Sequence, residues 1–211
     1  MNSSTNTMLT TMLQMQDAMN ARVNENWREQ GFAWYRAIWT ECAELMDHYG
    51  WKWWKKQQPD VDQVKLELVD IWHFGLSILL LSDIDERQLV EAVTLELEVA
   101  GGREDFRELL EEFTLNTLET KAFNVNLFAR LMASVEMDLH ELYVRYVGKN
   151  VLNFFRQDNG YQEGSYIKNW RGKEDNEHLV EVVAELDASS HSFKDDIYSA
   201  LQIRYNLVTA N

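Results

Sequence analysis

A single proline, Pro59, interrupts 211 residues. Proline removes a backbone donor and breaks helix interiors and inner strands alike. A chain with one proline and nine glycines is therefore built from long, rarely broken elements. Its apolar residues recur at three- and four-residue spacing, which selects helices over strands. The expected fold class is all-α: a multi-helix bundle with no sheet, one domain over residues 1–211 with a sizeable core.

Met8, Met12, Met15 and Met19, with Leu9 and Leu13, mark a first helix through about residue 26, behind a polar stretch, 1–7, expected to fray. Gln16 and Asn20 lie one turn apart on it. Phe32 to Tyr49 reads as a second helix, between Gly31 and Gly50. The turn WKWWKKQQP follows; Trp51, Trp53 and Trp54 suit either a core or a wall for a ligand. Pro59-Asp60 opens a third helix to about Ser82, and Asp83 or Asp85 caps a fourth through about Ala100. Gly101-Gly102 marks a turn. Residues 103–120 and 123–136 read as two helices, and Asp138 with Glu141 as a capping box for another, ending at Asn159-Gly160. That helix carries Lys149, Asn153 and Arg156 along one edge. Residues 160–176 are polar and glycine-spaced, yet Tyr161, Tyr166 and Trp170 favour an ordered loop. The last helices are expected over 174–186 and 192–208.

Two of these helices carry paired carboxylates. Glu41 and Glu44 on the second, and Glu67 and Asp70 on the third, are each three residues apart and so share a helix face. Such residues usually form a solvated face. Here Glu41 interrupts the stripe from Ile38 to Leu45, and Glu67 sits between Val64 and Ile71 with Phe74 beyond. A buried carboxylate without a partner is costly, so the same choice on two helices points to a shared cation. A four-carboxylate box suits Mg²⁺, a hard ion bound by oxygen and shared with substrate phosphates. Salt bridges to Lys52, Lys55 or Lys56 are the competing explanation, a weak one at a surface. The formal charge of −15 disfavours a general nucleic-acid binder and is compatible with a nucleotide enzyme that uses metal ions. The lone Cys42 makes no intrachain disulfide. No secretory pattern or long apolar span is present, so a soluble, cytoplasmic chain with no membrane partner is expected. No zinc spacing, phosphate loop or serine elbow occurs.

Four blocks, LQMQDAMN (13–20), ECAELMDHYGWKWWK (41–55), LELVDIWHF (66–74) and YVGKNVLNFFRQDNGYQEGSYIKNWRGKEDN (146–176), resemble the all-α dimeric dUTPases of the all-α nucleoside triphosphate pyrophosphohydrolase superfamily. The ExxE and ExxD pairs recur across that superfamily; the last block is specific to dUTPases, and 83–137 carries little of the likeness. The resemblance implies hydrolysis of dUTP, and of dUDP, with Mg²⁺, by a homodimer that binds a small deoxynucleotide. It implies Glu41, Glu44, Glu67 and Asp70 as metal ligands, with Glu41 orienting the attacking water. It places Gln16 and Asn20 near the uracil, and Trp53, His73 and Phe74 around the deoxynucleoside. It makes Lys149 and Arg156 phosphate contacts, with Lys168 and Lys173 as additions. It puts Asn176, with Glu174 and Asp175, in a closing motif, so that 160–176 shuts over substrate. Gln162 departs from the family pattern, which has lysine there. Phe74 would crowd a ribose 2′-hydroxyl. Two alternatives stay open: a related dCTP or dual dCTP/dUTP pyrophosphohydrolase, and a non-catalytic helical interaction module.

Overall fold

The computed structural model describes residues 3–98, 104–188, 190 and 192–209. Among them it holds nine α-helices and one short hairpin, so the chain is all-α. The expected absence of a sheet is corrected by that hairpin. The Gly101-Gly102 turn and the expected helix end at Ala100 lie outside the described residues. No described helix is long and apolar enough to cross a membrane. The chain divides into two compact units, 1–143 and 144–211.

In the first unit, α1 (Ser3–Val23) begins inside the stretch expected to fray. Tertiary docking explains this: α1 packs on α4, and the buried Thr94 hydroxyl of α4 donates to Asn6 Oδ1 at 3.2 Å. The buried face of α1 runs Leu9, Met12, Leu13, Gln16, Met19 and Asn20, a three-and-four spacing that holds two amides within an apolar stripe. A 3₁₀ turn (Trp27–Glu29) leads to α2 (Trp34–Tyr49). Gly50 ends α2 at φ 90°, a left-handed value that favours glycine. A Cβ there would also come within 2.9 Å of Gln57 Cβ.

Helix α3 (Val61–Leu79) starts where Asp60 accepts from the Gln63 N–H. It is buried on nearly every side, as expected of a central helix. Helix α2 packs along it and against α5, while α1 packs against α3 and α4. Helix α4 (Glu86–Leu97) is capped by Asp85, α5 (Phe106–Thr120) by Asp105 and α6 (Val125–Ser134) by Asn124. Trp72 stacks on Phe128 at 5.2 Å with Phe123 at its edge, and Gly75 lets the Phe123 ring approach α3. Residues 139–143, the start of α7 (Leu139–Asp158), belong to this unit; Asp138 Oδ1 accepts from the Glu141 N–H at 2.7 Å.

The second unit holds the rest of α7, the hairpin β1 (Asn169–Trp170) and β2 (Lys173–Glu174), α8 (Asp175–Glu185) and α9 (Phe193–Thr209). The strands pair antiparallel through Arg171 and Gly172, both at positive φ (54° and 91°) as a two-residue hairpin turn requires. Trp170 is fully buried, with Phe155, Tyr205 and His178 around it. The 160–176 segment therefore has an apolar anchor of its own.

Candidate active site

Three carboxylates converge where α2 and α3 pack. Glu41, Glu67 and Asp70 each offer an oxygen, and these lie within 4.8 Å of one another. Glu67 is buried because Leu66, Leu68, Val69 and Ile71 fix its helix on all sides. His48 Nε2 stands 3.6 Å from Glu67 Oε1. Burial, then the charges of Asp70, Glu67 and Glu44, then a hydrogen bond with Glu67 push the Glu41 carboxyl up to about 8. A proton thus relieves the crowded charge when no cation does so. A divalent cation relieves it further, and an all-carboxylate donor set is what a hard ion takes. The residues present fit Mg²⁺. Glu44 is exposed and lies outside the trio, so the expected box of four is three converging carboxylates with Glu44 near enough for its charge to act on Glu41.

The same face of α3 continues from Glu67 and Asp70 to Phe74 and Ser77, at spacings of three, four and three. Beside it is a buried polar cluster. The Gln16 amide donates to Asn20 Oδ1 at 3.0 Å and to Ser77 Oγ at 3.1 Å, and Asn20 Nδ2 donates to Ser77 Oγ at 3.0 Å. His73 Nδ1 lies 2.7 Å from Gln16 Oε1. All four residues are at most 6% exposed, which rules out solvated surface polarity for Gln16 and Asn20. Such a cluster offers donors and acceptors in a dry setting, as recognition of a base edge demands. Phe74 is half-buried, its ring 6.2 Å from that of Trp34.

Trp53 stands apart in character. It is 89% exposed, meets Trp54 edge-on at 5.4 Å, and lines a hollow of about 430 Å³ with Lys52, Lys55, Gln57 and Arg107. Arg107 holds the turn by donating to Gly50 O at 2.8 Å.

In the second unit the expected phosphate contacts are tied to nearby groups. Arg156 grips the fully buried Asp175 with two hydrogen bonds of 2.8 Å, and Tyr166 OH donates to the same carboxylate at 2.8 Å. Burial alone would raise Asp175, but Arg156 and Tyr166 outweigh it and hold the carboxyl below its usual value. Lys149 is buried, its Nζ 3.4 Å from Asn176 Oδ1. Lys168 pairs with Glu174 at 3.1 Å. Lys173 meets Glu181 at 2.5 Å, and Lys173 and Arg204 together lower Glu181 to about 2.

Sequence reasoning missed Ser77, which joins Gln16 to Asn20. Its only signal was a position one turn beyond His73 on the carboxylate face. It also missed the role of Asp175 and Tyr166 as partners of Arg156. A search of curated proteins finds no significant match. A family model described as dUTPase matches residues 8–161, which contain the carboxylates, the polar cluster, Phe74, Lys149 and Arg156. The chain therefore belongs to the dUTPase family, hydrolases that act on dUTP.

Proposed function

We propose that this protein is a Mg²⁺-dependent dUTP diphosphatase that also accepts dUDP. The observation that carries the reading is the single face of α3, which joins the carboxylate trio to the amide cluster by way of Phe74. Glu41, Glu67 and Asp70, with Glu44 beside them, would hold Mg²⁺, which when bound supplies positive charge to phosphate oxygens and acidifies water. Glu41, freed of its proton when the cation neutralises the crowded carboxylates, orients the attacking water and accepts its proton. The bond between the α- and β-phosphates breaks; dUTP gives dUMP and pyrophosphate, and dUDP gives dUMP and phosphate. Positioning and charge neutralisation dominate such reactions.

Gln16 and Asn20, locked by Ser77 and His73, read the uracil edge. His73 fixes the orientation of the Gln16 amide, and Phe74 excludes a ribose 2′-hydroxyl. Trp53 is assigned to the deoxynucleoside wall, and Lys149, Lys168 and Lys173 to phosphate contact, on the family resemblance. Arg156, held by buried Asp175, serves first to fix the 160–176 segment and Asn176, which we assign to closure over substrate. The protein acts as a cytoplasmic homodimer.

A dCTP or dual-substrate reading has one specific support. Each amide offers both a donor and an acceptor, so reversing one amide would present a cytosine-compatible edge. Mg²⁺-dependent thermal stabilisation tests the metal site directly. Wild type should gain stability with Mg²⁺ and Glu67→Gln should not; equal gains in both would overturn the site.

A further inference from the structure

His48 stands on the last turn of α2, seven residues after Glu41, and so lies on the face of α2 that carries Glu41. Long side chains on a helix lean toward its N-terminus, which tilts the imidazole back toward the carboxylates. The backbone beneath it is pinned. The Asp60 N–H donates to His48 O at 2.9 Å, and the Asp60 side chain caps α3, the helix of Glu67. Next in sequence, Tyr49 stacks on Phe106 at 4.1 Å, and Gly50 O accepts from Arg107 at 2.8 Å. His48 is thus presented from a fixed base.

Its Nε2 lies 3.6 Å from Glu67 Oε1, close but just beyond hydrogen-bond range. The His48 side chain is 37% exposed and that of Glu67 12%. The ring has room to close the remaining gap, and the carboxylate has little water to turn to. His48 offers no nitrogen to the converging trio of Glu41, Glu67 and Asp70, and Mg²⁺ takes oxygen ligands. What His48 reaches is the ligand, not the ion.

We infer that His48 is a positioning residue: its Nε2–H donates to Glu67 Oε1 in the cation-bound protein and keeps that carboxylate turned toward the ion. This role rests on the Mg²⁺ site proposed above. Groups that bind a metal are themselves hydrogen-bonded, and loss of such an outer partner lowers metal affinity roughly tenfold to a hundredfold. Glu67 is the buried member of the trio, so bulk water does not replace a lost donor there.

The test measures binding of Mg²⁺ by calorimetry and of Mn²⁺ by electron paramagnetic resonance, without nucleotide, in wild type, His48→Leu and His48→Gln. Gln places an amide N–H near the position of Nε2; Leu fills similar space and donates nothing. The dissociation constants should rise roughly tenfold or more in His48→Leu, folded by circular dichroism, and stay close to wild type in His48→Gln. Equal affinity in all three proteins overturns the inference. So does an equal loss in both variants, which would assign the imidazole to packing alone. A strong nitrogen coupling to bound Mn²⁺ in wild type, absent from His48→Gln, would make His48 a ligand and overturn it as well. Wild type that binds neither ion brings down the carboxylate site itself, and this role with it. Should His48→Leu fail to fold, wild type decides by nuclear magnetic resonance. On addition of Mg²⁺ the His48 Nε2–H proton, assigned by its loss in His48→Gln, should move downfield and exchange more slowly with water; an unchanged proton overturns the inference.

Discussion

Removing the Asp175 carboxylate should unfold or loosen the second unit. Asp175 is fully buried and receives two 2.8 Å hydrogen bonds from Arg156 and one from Tyr166. Asp175→Ala would leave the Arg156 side chain, only 12% exposed, without its counter-charge. Breaking one side of a buried pair costs about 3–5 kcal/mol, a large share of the roughly 5–15 kcal/mol that holds a typical protein folded. The Asp175 carboxyl is held below its ordinary value, so its contribution is present above the unfolded pKa near 3.8 and is lost as pH falls through the lower folded value. Urea unfolding at pH 7, followed by tryptophan fluorescence, reads the loss, and acid titration reads its pH dependence. A triple replacement, Arg156→Met and Tyr166→Phe with Asp175→Leu, should recover most of the stability, because a buried pair replaced by apolar groups is often neutral once no donor is left without its acceptor. A single-variant loss below about 1 kcal/mol, in the range of exposed pairs, would refute the argument.

Other perturbations should act as follows. In EDTA the Glu41 carboxyl, raised from 4.5 to about 8, contributes stability that is complete below its unfolded value and lost as pH rises through 8. Melting temperature without metal should therefore fall across that window, and Mg²⁺ should restore it; a flat profile in wild type would contradict the crowding at Glu41. Phe74→Ala should admit UTP, read as a rise in the rate of UTP hydrolysis relative to dUTP; an unchanged ratio would remove Phe74 from sugar selection. Gly75→Ala would bring a Cβ within 2.7 Å of the Phe123 ring and should cost about 1–3 kcal/mol in denaturant unfolding; a neutral result would show that the ring yields.

The helices were legible because their apolar residues keep helical spacing and because Asp60 and Asp85 announce the starts of α3 and α4. The carboxylate pairs were legible from the same spacing. What spacing leaves open is rotation of the helix against its neighbour: Glu44 shares a side of α2 with Glu41, yet packing on α3 leaves it exposed. The hairpin escaped notice because two-residue strands are too short to show alternation. Asp175 reads as an ordinary first-turn acid until Arg156, nineteen residues away, is seen against it. Ser77 is similar: its place on the carboxylate face of α3 says little until Gln16 and Asn20 of another helix are seen to converge on it.

The most direct test of the account is pyrophosphate release from dUTP, dCTP, dTTP and UTP, each with Mg²⁺ and with EDTA, by wild type and by Glu41→Gln. The account predicts strong release from dUTP alone, dependent on Mg²⁺ and lost in Glu41→Gln while the variant stays folded by circular dichroism. Full activity in EDTA, or in folded Glu41→Gln, would contradict the carboxylate site; no release from dUTP by folded wild type with Mg²⁺ would contradict the proposed function itself.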